Sequence, residues 1–209
     1  MDGFVADLSL LAEVADCVRA GGVALIPTDT VYGLAVSPLR DDAVDRLFAM
    51  KMRPRTVNLP VMVASVSQIK DLGVEIGDAA KALMESRHFP GPLTLALGFR
   101  KYGDRPDWLR GRLEVAVRMP DERALLSLLA DVGPLLVTSA NAHAQSPQES
   151  VSAVLESLHG SPDVAVDGGA RSTVSSTLVN CRLRPAVVER VGAIPFAEIE
   201  KVCECVLGS

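Results

Sequence analysis

Short apolar runs, each broken off by polar or charged residues, recur along this chain. Between them lie stretches whose apolar residues repeat at helical spacing. That alternation points to an α/β fold. VALIP (23–27) stops at Pro27 and gives way to Thr28-Asp29-Thr30, and VYGLAV (31–36) again reads as a strand. LPVMVA (59–64) is continuously apolar, as expected of a central strand buried on both faces. FPGPLTLALGF (89–99) reads as a turn followed by a strand, and EVAVRMP (114–120) is a strand ending on Arg118. PLLVTSAN (134–141) runs into the polar tip Thr138-Ser139-Ala140-Asn141, and DVAVDGG ends a short strand in a turn. STLVN (176–180) and AVVERVG (186–192) are expected to pair through CRLRP. Helices are expected from Leu8 to a stop at Gly21-Gly22, from Asp41 or Asp42 as cap to about Met50, and over Asp78–Arg87. Others are expected over 121–131, Val151–Leu158 and Ile199–Val206. Several connections are too short for parallel crossovers, so a twisted, mixed sheet flanked by helices is predicted. With no repeat or linker-like composition, residues 1–209 read as one domain, its core over about 10–200.

Composition sets limits on function. Apolar residues make up 48% of the chain, enough for a sizeable core, and the formal net charge of −5 argues against a general nucleic-acid coat protein. Net charge does not say where the cations sit. The four cysteines, Cys17, Cys181, Cys203 and Cys205, contain no C-x-x-C pair and read as structural thiols in a reducing setting. The first residues, MDGFVADLSL, carry an acid where a secretory leader has a basic segment, and no apolar run nears the roughly 20 residues that span a bilayer. A cytoplasmic location away from membranes is the expectation.

One stretch runs against the acidic whole. FAMKMRPRTVNLPVMV (48–63) gathers Lys51, Arg53 and Arg55 within five residues, just before an apolar run. Lys51 falls where a helix ends, and a cation is favoured there by the helix dipole alone. The alternative is an anion site. Four strand ends support it: Thr28-Asp29-Thr30, Arg118, Thr138–Asn141 and Arg190 all follow apolar runs. Ligands of open α/β sheets bind at strand ends. If those ends converge, Lys51, Arg53, Arg118 and Arg190 line a concave, positively charged cavity with few acids, suited to a polyanion such as a nucleoside triphosphate.

Several mechanisms lack their motifs. No G-x-x-x-x-G-K-[ST], G-x-G-x-x-G or G-x-S-x-G occurs, and His88, His143 and His159 have no metal-ligand spacing. An enzyme built on these residues works by positioning and by stabilising charge, not through a covalent nucleophile.

In order and spacing the motifs resemble the YrdC-like family of L-threonylcarbamoyladenylate synthases. They are P-T-D-T-V-Y-G-L (27–34), K-M-R-P (51–54), F-P-G-P-L-T (89–94), V-A-V-R-M-P (115–120), T-S-A-N (138–141), D-G-G (167–169), S-T-L-V (176–179) and R-V-G-A (190–193). The likeness is to the short, single-domain bacterial form. It implies a nucleotidyltransferase that joins L-threonine, bicarbonate and ATP, with magnesium accompanying the ATP and no protein-bound metal. The products are L-threonylcarbamoyl-AMP and pyrophosphate. The adenylate is passed to a separate transferase for threonylcarbamoyladenosine modification of tRNA.

The resemblance also implies roles. Lys51, Arg53, Ser139 and Asn141 form the catalytic, ATP-binding tetrad, with Arg190 on the nucleotide side. Thr30, Tyr32, Arg118 and Ser176 serve threonine, Arg118 pairing its carboxylate. The cations are then expected to lack acidic partners, because substrate supplies the charge. The chain departs from the family pattern at Val57, Asn58, Met62 and the segment after Asn141. Two other readings fit the same cavity: a module binding double-stranded RNA or tRNA, and a paralogue acting on a different acceptor.

Overall fold

The computed structural model describes residues 8–54, 57–101, 105–142 and 145–207. Arg55 and His143, both named above, lie outside them, as does the side chain of Cys205. In chain order the elements are α1 (Leu8–Ala20), β1 (Ala24–Ile26), β2 (Gly33–Val36), α2 (Asp41–Met50), β3 (Val61–Met62), α3 (Val66–Asp71), α4 (Asp78–Glu85) and β4 (Leu93–Gly98). After a 3₁₀ turn at Asp107–Leu109 come β5 (Glu114–Arg118), α5 (Arg123–Val132), β6 (Leu135–Ser139), α6 (Val151–Ser157), β7 (Val164–Ala165), β8 (Thr177–Asn180), β9 (Val187–Arg190) and α7 (Phe196–Leu207).

The strands form one mixed nine-stranded sheet, ordered β7-β1-β2-β6-β3-β5-β4-β8-β9. Short connections make antiparallel pairs, as between β1 and β2 and between β8 and β9, while β3 and β5 run parallel. The expected strand over 59–64 is central, but only Val61 and Met62 hold the ladder. α1 ends because Gly21 takes φ +88°, a conformation that favours glycine. The residue ahead of α2 is Arg40, and no side chain caps the helix; Asp41 and Asp42 lie inside its first turn, where their charge suits the dipole. α3 was not foreseen. Its six residues are too few to show a helical period, yet Ser65 caps it by accepting from the Gln68 amide.

Period-two alternation sends the strands' side chains to two faces. Leu25, Leu34, Val61, Leu95, Val117 and Leu136 face a continuous core with Leu47 of α2, Leu83 of α4 and Ile199 of α7. On the other face Ala24, Ala35, Met62 and Val137 pack against Val14 and Val18 of α1 and Leu125 and Leu129 of α5. These two helices cover only the β7-to-β3 half. Over β5, β4 and β8, and reaching Gly33 of β2, Met62 of β3 and Val137, Thr138 and Ser139 at the end of β6, the second face opens into a cavity.

Candidate active site

The cavity has a volume of about 550 Å³. Alternation along β4 and β5 places Thr94, Ala96, Glu114, Ala116 and Arg118 on its floor while Leu95 and Val117 point into the core. Its polar lining also includes Thr28, Thr30, Arg53, Ser139, Ser176, Glu189 and Arg190. Val57, Asn58 and Met62, three of the positions where the chain departs from the family pattern, also line it.

Arg118 is 4% exposed. Its Nε donates to Gly91 O at 3.0 Å, Nη1 to Thr30 Oγ1 at 2.9 Å and Nη2 to Asp29 Oδ1 at 2.7 Å. The Thr28–Thr30 segment is a turn closed on itself: Thr28 Oγ1 donates to Val31 O at 2.6 Å and accepts from Thr30 N at 3.1 Å. That turn fixes the acceptors that aim Arg118.

Arg53 Nη1 donates to Thr138 Oγ1 and Nη2 to Asn58 O, each at 3.2 Å, while its buried Nε has no partner among the described residues. Arg190 Nε and Nη2 donate to Ser176 O at 3.1 and 2.9 Å. Ser176 Oγ lies 2.7 Å from Thr94 Oγ1 and 3.2 Å from Arg190 Nη2. The strand leaving Arg190 can run this close because residue 192 is glycine: a Cβ there would stand 2.2 Å from Ser175 O. Burial lowers the pKa of Arg53, and the neighbouring Arg190 lowers it further. Burial does the same at Arg190, with Arg118 adding to it. The three guanidinium groups thus follow one another around the cavity.

Lys51 stands elsewhere. It is 2% exposed, does not line the cavity, and its Nζ donates to the carbonyls of Ser139 and Asn141. Burial, followed by the charge of Arg53, pushes its pKa down to about 8. Lys51, expected to grip a ligand, has its ammonium tied to the strand end that carries Ser139. Asn141 is also off the cavity wall. Its Nδ2 donates to Ala142 O and Gln145 O, and its buried Oδ1 has no partner among the described residues.

Tyr32, expected in the threonine pocket, turns away from the cavity. Its hydroxyl lies 2.6 Å from Gly169 O and 3.2 Å from Asp167 Oδ1, and accepts from Gly168 N at 3.0 Å. It anchors the 167–169 turn, and burial raises its pKa.

The expectation that all four cations lack acidic partners is corrected at Arg118. Asp29 pairs with Arg118, and two main-chain carbonyls satisfy Lys51. Among the described residues, Arg53 and Arg190 have no carboxylate partner. Sequence reasoning gave no role to Asp29, Thr94, Thr138, Glu114 or Glu189. Thr138 and Asp29 stood in strand-end motifs, a usable signal; the two glutamates gave none. Among the described residues no group of three or more His, Cys, Asp or Glu could hold a metal ion. The cavity's arginines suit phosphate or carboxylate oxygens instead.

The structure defines a mixed-sheet α/β protein whose uncovered half-face carries guanidinium, hydroxyl and carboxylate groups. The Sua5/YciO/YrdC family model, described as telomere recombination, matches residues 16–192, and the chain belongs to that family. It is 38% identical over 191 residues to a threonylcarbamoyl-AMP synthase of Pyrococcus abyssi, covering 90% of this chain and 55% of that protein. It is 35% identical over 194 residues to the threonylcarbamoyl-AMP synthase of Bacillus subtilis, covering 92% and 56%. A crystal structure of P. abyssi Sua5 complexed with L-threonine superposes with a TM-score of 0.82 at 35% identity, over 92% of this chain and 56% of that one. The chain spans about half the length of these relatives.

Proposed function

We propose that this chain is a threonylcarbamoyl-AMP synthase. It joins L-threonine, bicarbonate and ATP to give L-threonylcarbamoyl-AMP and pyrophosphate. The observation that carries the reading is the pair Arg53 and Arg190: two cavity-lining guanidinium groups, depressed in pKa by burial and by neighbouring arginines, with no carboxylate partner among the described residues. Such a wall suits an anion against it. The names of the relatives, and the L-threonine held by the P. abyssi protein, supply the identity of the reactants.

In this account threonine lies at the Thr30, Thr94 and Ser176 end, its carboxylate on Arg118. Asp29 holds that guanidinium in place. The amine adds to carbon dioxide drawn from bicarbonate, forming a carbamate. A carbamate oxygen attacks the α-phosphorus as the bond to pyrophosphate breaks. Arg53 and Arg190 stabilise the charge that builds on the phosphate oxygens, at sites fixed in advance by Thr138, Asn58 and Ser176. Ser139 faces the reacting groups, and Lys51 and Asn141 hold its segment. Magnesium enters with ATP on the phosphate oxygens. The product is an activated adenylate for a separate transferase acting on tRNA. Among the described residues no helix is long and apolar enough to cross a membrane; action in the cytoplasm is part of the proposal.

The test is to incubate the protein with ATP, magnesium, bicarbonate and L-threonine, quench, and search for threonylcarbamoyl-AMP by mass spectrometry alongside a pyrophosphate assay. Threonine-dependent formation of both is expected. Pyrophosphate release that ignores threonine, or answers to a different amino acid, would refute the assigned acceptor. ATP-independent, salt-sensitive binding of double-stranded RNA with no pyrophosphate would favour an RNA-binding module.

A further inference from the structure

The cavity wall is not uniformly cationic. Two carboxylates, Glu114 and Glu189, also line it. Glu114 opens β5 and Arg118 closes it, a separation of about 13 Å along an extended strand. Glu189 reaches the cavity through a β-bulge. Arg190 pairs with Leu178 and Val188 with Val179, so Glu189 is an extra residue with no opposite number on β8. An irregularity of this kind re-aims side chains, and here Glu189 and Arg190 both line the cavity although they are consecutive.

The carboxylates are held in place. Asn180 is 2% exposed, and its Nδ2 donates to Glu189 Oε1 at 2.7 Å and to Glu114 Oε2 at 3.2 Å. Arg182 Nε adds a 2.8 Å bond to the same Glu114 oxygen. One oxygen of each carboxylate is therefore committed, while Glu114 Oε1 and Glu189 Oε2 make no hydrogen bond among the described residues. An ionised carboxylate only accepts. A ligand that suits this wall brings donors to it and carries its own negative charge elsewhere. A metal cation suits it poorly, because Asn180 and Arg182 already direct protons at the oxygens it would need.

We propose that Glu114 and Glu189 receive the ribose hydroxyls of the nucleotide. The inference rests on the ATP reading above and deepens it. A vicinal diol presents two separate, rotatable O–H donors, matching two carboxylates on different strands. The same carboxylates repel phosphate. They therefore fix the direction of the nucleotide, with its sugar toward Glu114 and Glu189 and its triphosphate toward Arg53 and Arg190.

Calorimetric titration with ATP, 2′-deoxyATP, 3′-deoxyATP and GTP, without threonine, tests this in the wild-type protein and in Glu189→Ala and Glu114→Ala. The wild type is expected to bind ATP about tenfold more tightly than either deoxynucleotide, the loss typical of one hydrogen bond to a charged group. Each variant should shrink the preference over one of the two deoxynucleotides to about twofold while leaving the preference over the other, and the ATP-to-GTP ratio, unchanged. A wild type that binds ATP and the deoxynucleotides equally would overturn the inference and leave the ATP reading standing. Variants that keep both sugar preferences, or that change the base preference instead, would also overturn it. Failure to bind any of the nucleotides would bring down both. Sugar discrimination without threonine-dependent pyrophosphate would leave this inference intact and remove the threonine assignment.

Discussion

The half of the second sheet face under α1 and α5 and the half over β5, β4 and β8 are built from the same alternating strands, yet only one is sealed. In the sealed half, Ala24, Ala35 and Val137 are small enough for helices to approach, and Leu125, Leu128 and Leu129 fill the gap. In the open half the outward positions are Thr94, Ala96, Ala116, Arg118 and Ser176. A helix laid over them would have to desolvate arginines and hydroxyls, at a cost of several kcal/mol for each unpaired charge. The apolar half contributes stability by being covered. The polar half leaves room for a ligand that completes its hydrogen bonds.

One pair of substitutions should separate the halves most sharply. Ala116→Leu projects a side chain into the cavity and is expected to abolish threonine-dependent pyrophosphate release while moving unfolding free energy by no more than about 0.5 kcal/mol. Leu129→Ala empties the sealed half and should cost about 2–5 kcal/mol in urea denaturation with KM values unchanged. If Ala116→Leu unfolded the protein instead, the open half would be part of the core and the division would fail.

A second pair sharpens the roles within the open half. Arg53→Ala is expected to lower turnover about 10²–10³-fold, as loss of a preorganised charge-stabilising donor does. Arg118→Ala should act chiefly on the threonine requirement. Equal effects of the two on threonine and ATP dependence would erase the distinction between the ends of the cavity.

Lys51 gives a pH signature. Its pKa in the folded chain is about 8 against an ordinary 10.5. Between those values the unfolded chain binds the proton and the folded chain does not, so stability rises with pH across that window. Wild type should gain up to about 3 kcal/mol relative to Lys51→Met between pH 7.5 and 10.5. A stability difference that stays constant with pH would mean that Lys51 keeps its charge in the fold. The smallest effect is expected of Ser176→Ala, about 1 kcal/mol or fivefold in the threonine KM; no change would mean that Thr94 and Arg190 position the ligand without it.

Much of the fold was legible because each strand is a short apolar run with a clear stop, and β8 and β9 pair across CRLRP as expected. The helix stop at Gly21 was readable for the same local reason. What stayed hidden was long-range. A lysine in a basic run reads as a surface or ligand-binding group; that Lys51 turns inward depends on carbonyls 88 and 90 residues away. Tyr32 likewise looked like cavity wall until the 167–169 turn came to meet its hydroxyl. Asp29 stood in plain view beside Thr30, but its pairing with Arg118 joins a loop to a strand end 89 positions on. Glu189 enters the cavity through a bulge, and no alternation pattern announces an extra residue.

The most direct measurement is a crystal structure with a non-hydrolysable ATP analogue and L-threonine. The account predicts phosphates against Arg53 and Arg190 and the amino-acid carboxylate on Arg118, all within the open half of the sheet. Ligands bound elsewhere, or a triphosphate seated on the glutamate side, would contradict it.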